Sequence, residues 1–164
     1  MIPIRRLLIL VAAVLVLAVI NFEIYKKEQL LVKGQTVLIR LAPRDPRSLM
    51  QGDYMVLRYQ IARSPELRSF QAKEGFLVIE LDKNQVAKFK RVYQDKTHTA
   101  ENEILLQFSK RRNQIRIGAE SFFFQEGHAK YYTNARYGEL RVSSSGKSVL
   151  VGLRDANFKP LEPK

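Results

Sequence analysis

The carboxylates of Asp45 and Asp53 stand at turn-forming positions, Asp45 between Arg44 and Pro46 and Asp53 directly after Gly52. Brought together at one end of a hairpin, they would form a pair able to share a proton or hold a cation. Asp before Pro and Asp after Gly are also ordinary turn residues, whose carboxylates accept hydrogen bonds from nearby backbone N–H groups. The structural role is the expectation here, with Arg44, Arg47 and Arg58 as ion-pair partners rather than as an anion site.

The only two histidines are His98 and His128, with neither an H-x-H nor an H-x-x-x-H spacing between them. A metal site would need both to converge with carboxylates from elsewhere in the chain. The same two imidazoles are the only candidate bases for a Ser-His-Asp arrangement, and no Gly-x-Ser-x-Gly accompanies them. With no cysteine, there is neither a thiolate nucleophile nor a disulfide framework. No catalytic residue, metal or cofactor is therefore expected.

The elements that must position these residues begin at Pro43-Arg44-Asp45-Pro46-Arg47 and run through Gly52-Asp53-Tyr54 into a strand from Asp53 to Ile61. In that strand Met55, Leu57, Tyr59 and Ile61 alternate as an apolar or aromatic row, the period of a half-buried strand. A second strand, Thr36 to Leu41, precedes the Pro-Asp-Pro turn. Antiparallel pairing of the two would fold the loop back and set Arg44-Asp45 beside Asp53-Tyr54, giving a rigid surface loop suited to docking.

Downstream, Gly75–Leu81 and Gln85–Tyr93 flank Asp82-Lys83-Asn84, and Glu103–Lys110 and Gln114–Gly118 flank Arg111-Arg112-Asn113, both as hairpins. Within Gln85–Tyr93, the row Ala87, Phe89, Arg91 and Tyr93 is expected inward. Phe122 to Phe124 precede a stretch of helical composition, Glu126 to Ala135, and a last hairpin joins Glu139–Ser143 to Lys147–Leu153. Phe70, Phe76, Phe89, Phe108 and the Phe122 to Phe124 cluster supply aromatic area for one core. Short strands, hairpin turns and one short helix imply a mainly β fold, an antiparallel sandwich or partly open barrel.

Ahead of this domain, Leu7 to Ile20 is an uncharged apolar run of 14 residues preceded by Arg5 and Arg6; carried to Tyr25 it approaches the roughly 20 residues that cross a bilayer. The bulky residues after it offer no small-residue cleavage site, which predicts an uncleaved signal anchor. Tyr25 and Lys26-Lys27 then mark the far interface. The expected organisation is a cytoplasmic tail at 1–6, an anchor at 7–25, a helical extension or linker at 26–33 and an extracytoplasmic β domain at 34–164.

The net charge is +12, from 28 basic and 16 acidic side chains in 164 residues. Residues 1–25 hold Arg5, Arg6 and Glu23, so 26 bases against 15 acids, or +11, belong to the rest. That surplus favours anionic surfaces such as lipid headgroups. Basic and aromatic residues interleave in KFKRVY and SKRRNQIRI, but no nucleic-acid motif accompanies them.

The residues Gly52, Asp53, Tyr54, Leu57 and Tyr59, in GDYMVLRY, resemble the GDYXXLXY family of membrane-anchored bacterial proteins, as do PRDPRSL, FFFQEGHAKYYTNARYGELRV and GKSVLVGLRD. The resemblance implies a single N-terminal anchor in the bacterial inner membrane, a compact periplasmic domain and company with polytopic membrane proteins. It carries no catalytic residue over to this chain. The stretch from Ser48 to Asp53 is loosely similar to type I signal peptidases, where a serine near the membrane precedes a Gly-Asp corner and a lysine acts as base. Here only Leu49, Met50 and Gln51 separate Ser48 from Gly52, and Lys83 or Lys88 lies in charged surroundings.

The resulting expectation is a non-enzymatic envelope protein whose β domain binds or supports an integral membrane partner, with no nucleic acid. A signal-peptidase-like hydrolase and a binder of anionic lipid or polymer surfaces are the alternatives.

Overall fold

A computed structural model describes residues 4–42, 50–51, 54–94, 100, 102–112 and 114–163. Pro43, Arg44, Asp45, Pro46, Arg47, Ser48, Gly52, Asp53 and His98 lie outside the described residues, and with them the expected Asp45–Asp53 loop.

Helix α1, Ile4–Lys33, runs 30 residues, about 45 Å at 1.5 Å per residue. Leu, Val, Ile and Ala occupy every face of its first five turns, and none of its residues is buried. A helix that is apolar all round needs an apolar environment, and none of the other described elements supplies one. It is long and apolar enough to cross a membrane. The segment 26–33 continues the same helix, steadied by a Lys26–Glu23 ion pair at 2.6 Å one turn back.

One residue, Gly34, separates α1 from β1, Gln35–Arg40. Its N–H donates to the Leu30 carbonyl at 2.9 Å, closing the helix. Arg141 Nη1 donates to the Gly34 carbonyl at 3.3 Å and to Thr36 Oγ1 at 2.6 Å, tying the join to the neighbouring strand.

Strand accounts for 39% and helix for 30%, and since α1 supplies most of that helix, the remainder of the chain is a β domain. Three antiparallel sheets share one core. In the first, β1 and β10 (Ser148–Arg154) flank β9 (Tyr137–Val142). In the second the order is β5 (Ala87–Val92), β4 (Glu74–Leu81), β6 (Glu103–Arg111) and β7 (Gln114–Ile117). The third is small: β2 (Met50–Gln51), β3 (Tyr54–Val56) and β8 (Ser121–Phe123).

Single bridges at Leu38–Val86 and Leu41–Tyr59 stitch the sheets into a curled half-barrel. Val37 and Ile39 point inward to meet Leu77, Ile79, Leu106, Phe108, Leu140 and Leu153, while Leu38 points outward to a second, smaller cluster with Val86 and Tyr137. That is the period-two division of a strand covered on both faces.

Four expectations are corrected. The strand foreseen from Asp53 to Ile61 holds its ladder only over Tyr54–Val56; beyond Tyr59 the chain tightens into a 3₁₀ turn, Gln60–Arg63. Met55, Leu57, Tyr59 and Ile61 are nevertheless all buried. This segment does not pair with β1 along its length: β9 holds one edge of β1, Gln85 and Val86 meet Leu38 on the other, and only the Leu41–Tyr59 bridge joins the segment to it.

The RSPEL stretch that follows forms helix α2, Pro65–Ser69, started by proline at its first position and anchored by the fully buried Leu67. In β5 a bulge opposite Val78/Ile79 leaves Lys90 without a β4 partner. The bulge flips the parity, so Val92 rather than Tyr93 joins Phe89 against the core. The helix foreseen over Glu126–Ala135 shrinks to the 3₁₀ turn Ala129–Tyr132, behind Gly127 at φ +79° and with Tyr132 stacked on Phe124.

Candidate functional site

The motif residues divide by direction. Leu57 is buried and its N–H donates to the Glu120 carbonyl at 2.7 Å. Tyr59 is buried, and its hydroxyl donates to the Ala119 carbonyl at 2.9 Å. Burial, with the Glu120 carboxylate nearby, pushes the Tyr59 phenol well above its ordinary range, so it stays a neutral donor. On the far side of its ring runs Gly138 of β9, where a Cβ would come within 3.0 Å of Tyr59 Cε1. Leu57 and Tyr59 thus clamp the exit of β3 to the 119–120 corner and to β9, a structural role.

Tyr54 behaves differently. It is half-buried, and its ring lies against that of Phe123 at 5.7 Å. Of the three consecutive phenylalanines expected in the core, Phe122 and Phe124 pack on Tyr132, while Phe123, pointing to the other face of β8, is 74% exposed. Alternation along the strand makes this division unavoidable.

Two concave regions adjoin here. A cleft of about 830 Å³ separates the last turns of α1 from β7, β8 and β10, with Glu23, Lys26, Lys27 and Leu30 on one wall and Phe123 and Lys147 on the other. A smaller cavity of about 420 Å³ lies where the motif segment passes β7, and Arg58, Arg63, Arg68 and Arg116 line it. Arg116, Glu120 and Ser121 border both. No described acid pairs with Arg58, and the aspartates expected beside it, Asp45 and Asp53, lie outside the described residues; Arg116 Nε meets Glu120 Oε1 at 2.9 Å.

Convergence of Arg63, Arg68 and Arg116 with Arg58 was not legible from spacing. The 3₁₀ turn and α2 bring the first two round, and β7 brings the third.

The remaining chemical candidates stand apart. His128 packs edge-on against Tyr131 at 5.5 Å. Among the described residues no group of three or more His, Cys, Asp or Glu side chains could hold a metal ion. Lys83 and Lys88, the bases a peptidase reading would need, are exposed.

Glu103 is the most perturbed described carboxyl outside α1, with its side chain only 6% exposed. The Arg91 guanidinium donates to both of its oxygens, at 2.7 and 2.9 Å, and the Ala100 N–H donates at 3.1 Å. These donors hold it down from an ordinary 4.5 to about 2. A carboxyl depressed on folding contributes stability that is complete above its unfolded value and fades as pH falls through its folded one. Glu103→Gln should therefore lower the melting temperature at neutral pH, and the gap to the unsubstituted protein should close as pH falls from about 5 to about 2. A gap independent of pH would show that the carboxylate's charge contributes nothing.

No curated protein and no solved structure matches the chain. A family model described as GDYXXLXY protein matches residues 16–153, reaching from within α1 into β10 and spanning the motif whose Leu57 and Tyr59 clamp the fold. By that match the chain belongs to the GDYXXLXY family.

Proposed function

We propose that this is a single-pass, non-enzymatic envelope protein, anchored by α1 in the bacterial inner membrane with its β domain on the periplasmic side, and that the domain docks on a polytopic membrane protein. The observation that carries this reading is the one-residue join at Gly34. A long flexible linker would let the domain range through solvent; this join holds it at fixed height over the end of α1. Its most exposed aromatic, Phe123, shares the cleft with Lys26, Lys27 and Leu30 of that helix. A partner seated in this cleft meets α1 where it leaves the anchor segment, a position that favours one residing in the same membrane, and a large aromatic presented this way is the kind of anchor that protein interfaces concentrate their energy on.

The non-enzymatic part is supported by how the polar groups are spent. Glu103 and the Arg154–Glu139 pair at 2.7 Å are cross-strand ion pairs away from both concave regions, while Tyr59, which lines the smaller one, gives its hydroxyl to the Ala119 carbonyl, and Glu23, which lines the larger, pairs with Lys26. For the test, a photo-crosslinking amino acid replaces Phe123 in the full-length chain in native membranes. Irradiation should yield an adduct with a polytopic membrane protein. Phe123→Asp should reduce detergent co-purification of that protein at least tenfold with unchanged melting. Co-purification untouched by Phe123→Asp would remove the cleft from the interface.

A further inference from the structure

We propose that the 420 Å³ cavity lined by Arg58, Arg63, Arg68 and Arg116 is a binding site for a phosphate-ester headgroup. This goes beyond partner docking and uses different residues. Among the described residues, four guanidiniums line the cavity with one carboxylate, Glu120, which Arg116 already engages at 2.9 Å. Arg58, Arg63 and Arg68 make no ion pair or side-chain hydrogen bond with any described residue. Like charges that outnumber their described counter-charges four to one focus a positive potential into the concavity they line. Arginine's planar fork of donors matches the oxygens of a phosphate, two bonds at a time.

The cavity is built rather than accidental, because each arginine projects from a backbone held elsewhere. Arg58 sits between the buried Leu57 and Tyr59. Arg63 ends the 3₁₀ turn, where the Ser64 N–H donates to the Ile61 carbonyl at 3.2 Å. Arg68 rides on α2, pinned by Leu67 and by Lys110, whose Nζ donates to the Arg68 and Phe70 carbonyls at 2.6 and 2.8 Å. Leu57, Ala62, Ile115 and Ile117 give the apolar lining, and the volume is within the range of small-molecule sites.

Position suggests where such a headgroup comes from. Arg116, Glu120 and Ser121 are shared with the cleft that opens on Lys26, Lys27 and Leu30 of α1, so a lipid whose chains lie beside α1 has its headgroup next to the arginines. A soluble phosphate ester carries the same chemistry, and the test separates the two.

The full-length chain in zwitterionic micelles is titrated with dihexanoyl phosphatidylglycerol, with glycerol 3-phosphate and with inorganic phosphate, following the arginine Nε–H NMR signals. The expected result is a saturable shift confined to Arg58, Arg63, Arg68 and Arg116. Arg58→Gln combined with Arg63→Gln should weaken binding at least tenfold, and Arg68→Gln alone about threefold. Lys83→Gln combined with Lys159→Gln removes the same charge from exposed positions outside the cavity and should change binding less than twofold. Tighter binding of the lipid than of glycerol 3-phosphate assigns the headgroup to the membrane; equal binding assigns a soluble ester. No saturable shift with any of the three, or equal weakening by the lysine and arginine pairs, overturns the site. Because Phe123 is untouched, this result and the partner crosslinking succeed or fail separately.

Discussion

Replacing Leu57 by alanine should cost about 2 to 5 kcal/mol of stability, the range for truncating a buried leucine whose surroundings collapse only in part. Leu57 is 5% exposed and packs in the core that all three sheets share. Its backbone is fixed by the bond to the Glu120 carbonyl, so the strand cannot sink inward to fill the space. At about 2 to 4 °C per kcal/mol for a chain of this size, the melting temperature should fall by about 4 to 20 °C.

The neighbouring positions supply the contrast. Tyr59→Phe keeps the ring and removes only the hydroxyl, leaving the Ala119 carbonyl short of a donor, so its cost should be smaller, about 1 to 3 kcal/mol. Arg58→Gln, on the exposed face between them, should stay within about 0.5 kcal/mol. Thermal unfolding of the three variants measures the order. If Leu57→Ala melts no lower than Arg58→Gln, the motif's apolar row is not what holds β3 to the core.

That ordering also explains which parts of the fold were legible in the sequence. The inward row Met55, Leu57, Tyr59 and Ile61 could be read because burial follows from the side chains alone, whether or not a ladder continues beside them. The ladder depends on which strand wins an edge. β9 is far away in sequence and offers β1 six paired positions, and nothing local to Thr36–Leu41 announces it.

Parity failed at β5 for a related reason. The bulge there is set by the fit of β4 between β5 and β6, a property of three strands at once. Helix α2 had a usable signal in Ser64-Pro65-Glu66, a helix start with proline in its first turn. The arginine cavity had none, because its members come from the motif segment, the 3₁₀ turn, α2 and β7, whose convergence is tertiary. The +11 surplus outside residues 1–25 pointed to anionic ligands without saying where they would bind.

The join at Gly34 carries the second large expectation. A Cβ at this position would stand 2.3 Å from the Leu30 carbonyl oxygen and 3.0 Å from Arg141 Cβ, closer than any side-chain carbon is found to backbone. Gly34→Val must therefore either break the Gly34 N–H to Leu30 carbonyl bond that closes α1, or push the start of β1 away from Arg141 and Val142 on β9. Overpacking of this kind costs about 1 to 3 kcal/mol. The cost should stay local, since the paired centre of β4 and β6 lies in a different sheet.

Hydrogen exchange on the full-length chain in detergent reads this directly. The amides of Leu31 to Gln35 should exchange about 5 to 150 times faster in Gly34→Val, at one tenfold step per 1.4 kcal/mol, while those of Leu77 to Ile79 keep their protection. Faster exchange at both places would mean that the whole domain, not the join, had been destabilised. Unchanged exchange at Leu31 to Gln35 would mean that α1 and β1 already move independently. The domain would then hang on a hinge, and nothing would hold Phe123 at a fixed height for a membrane partner.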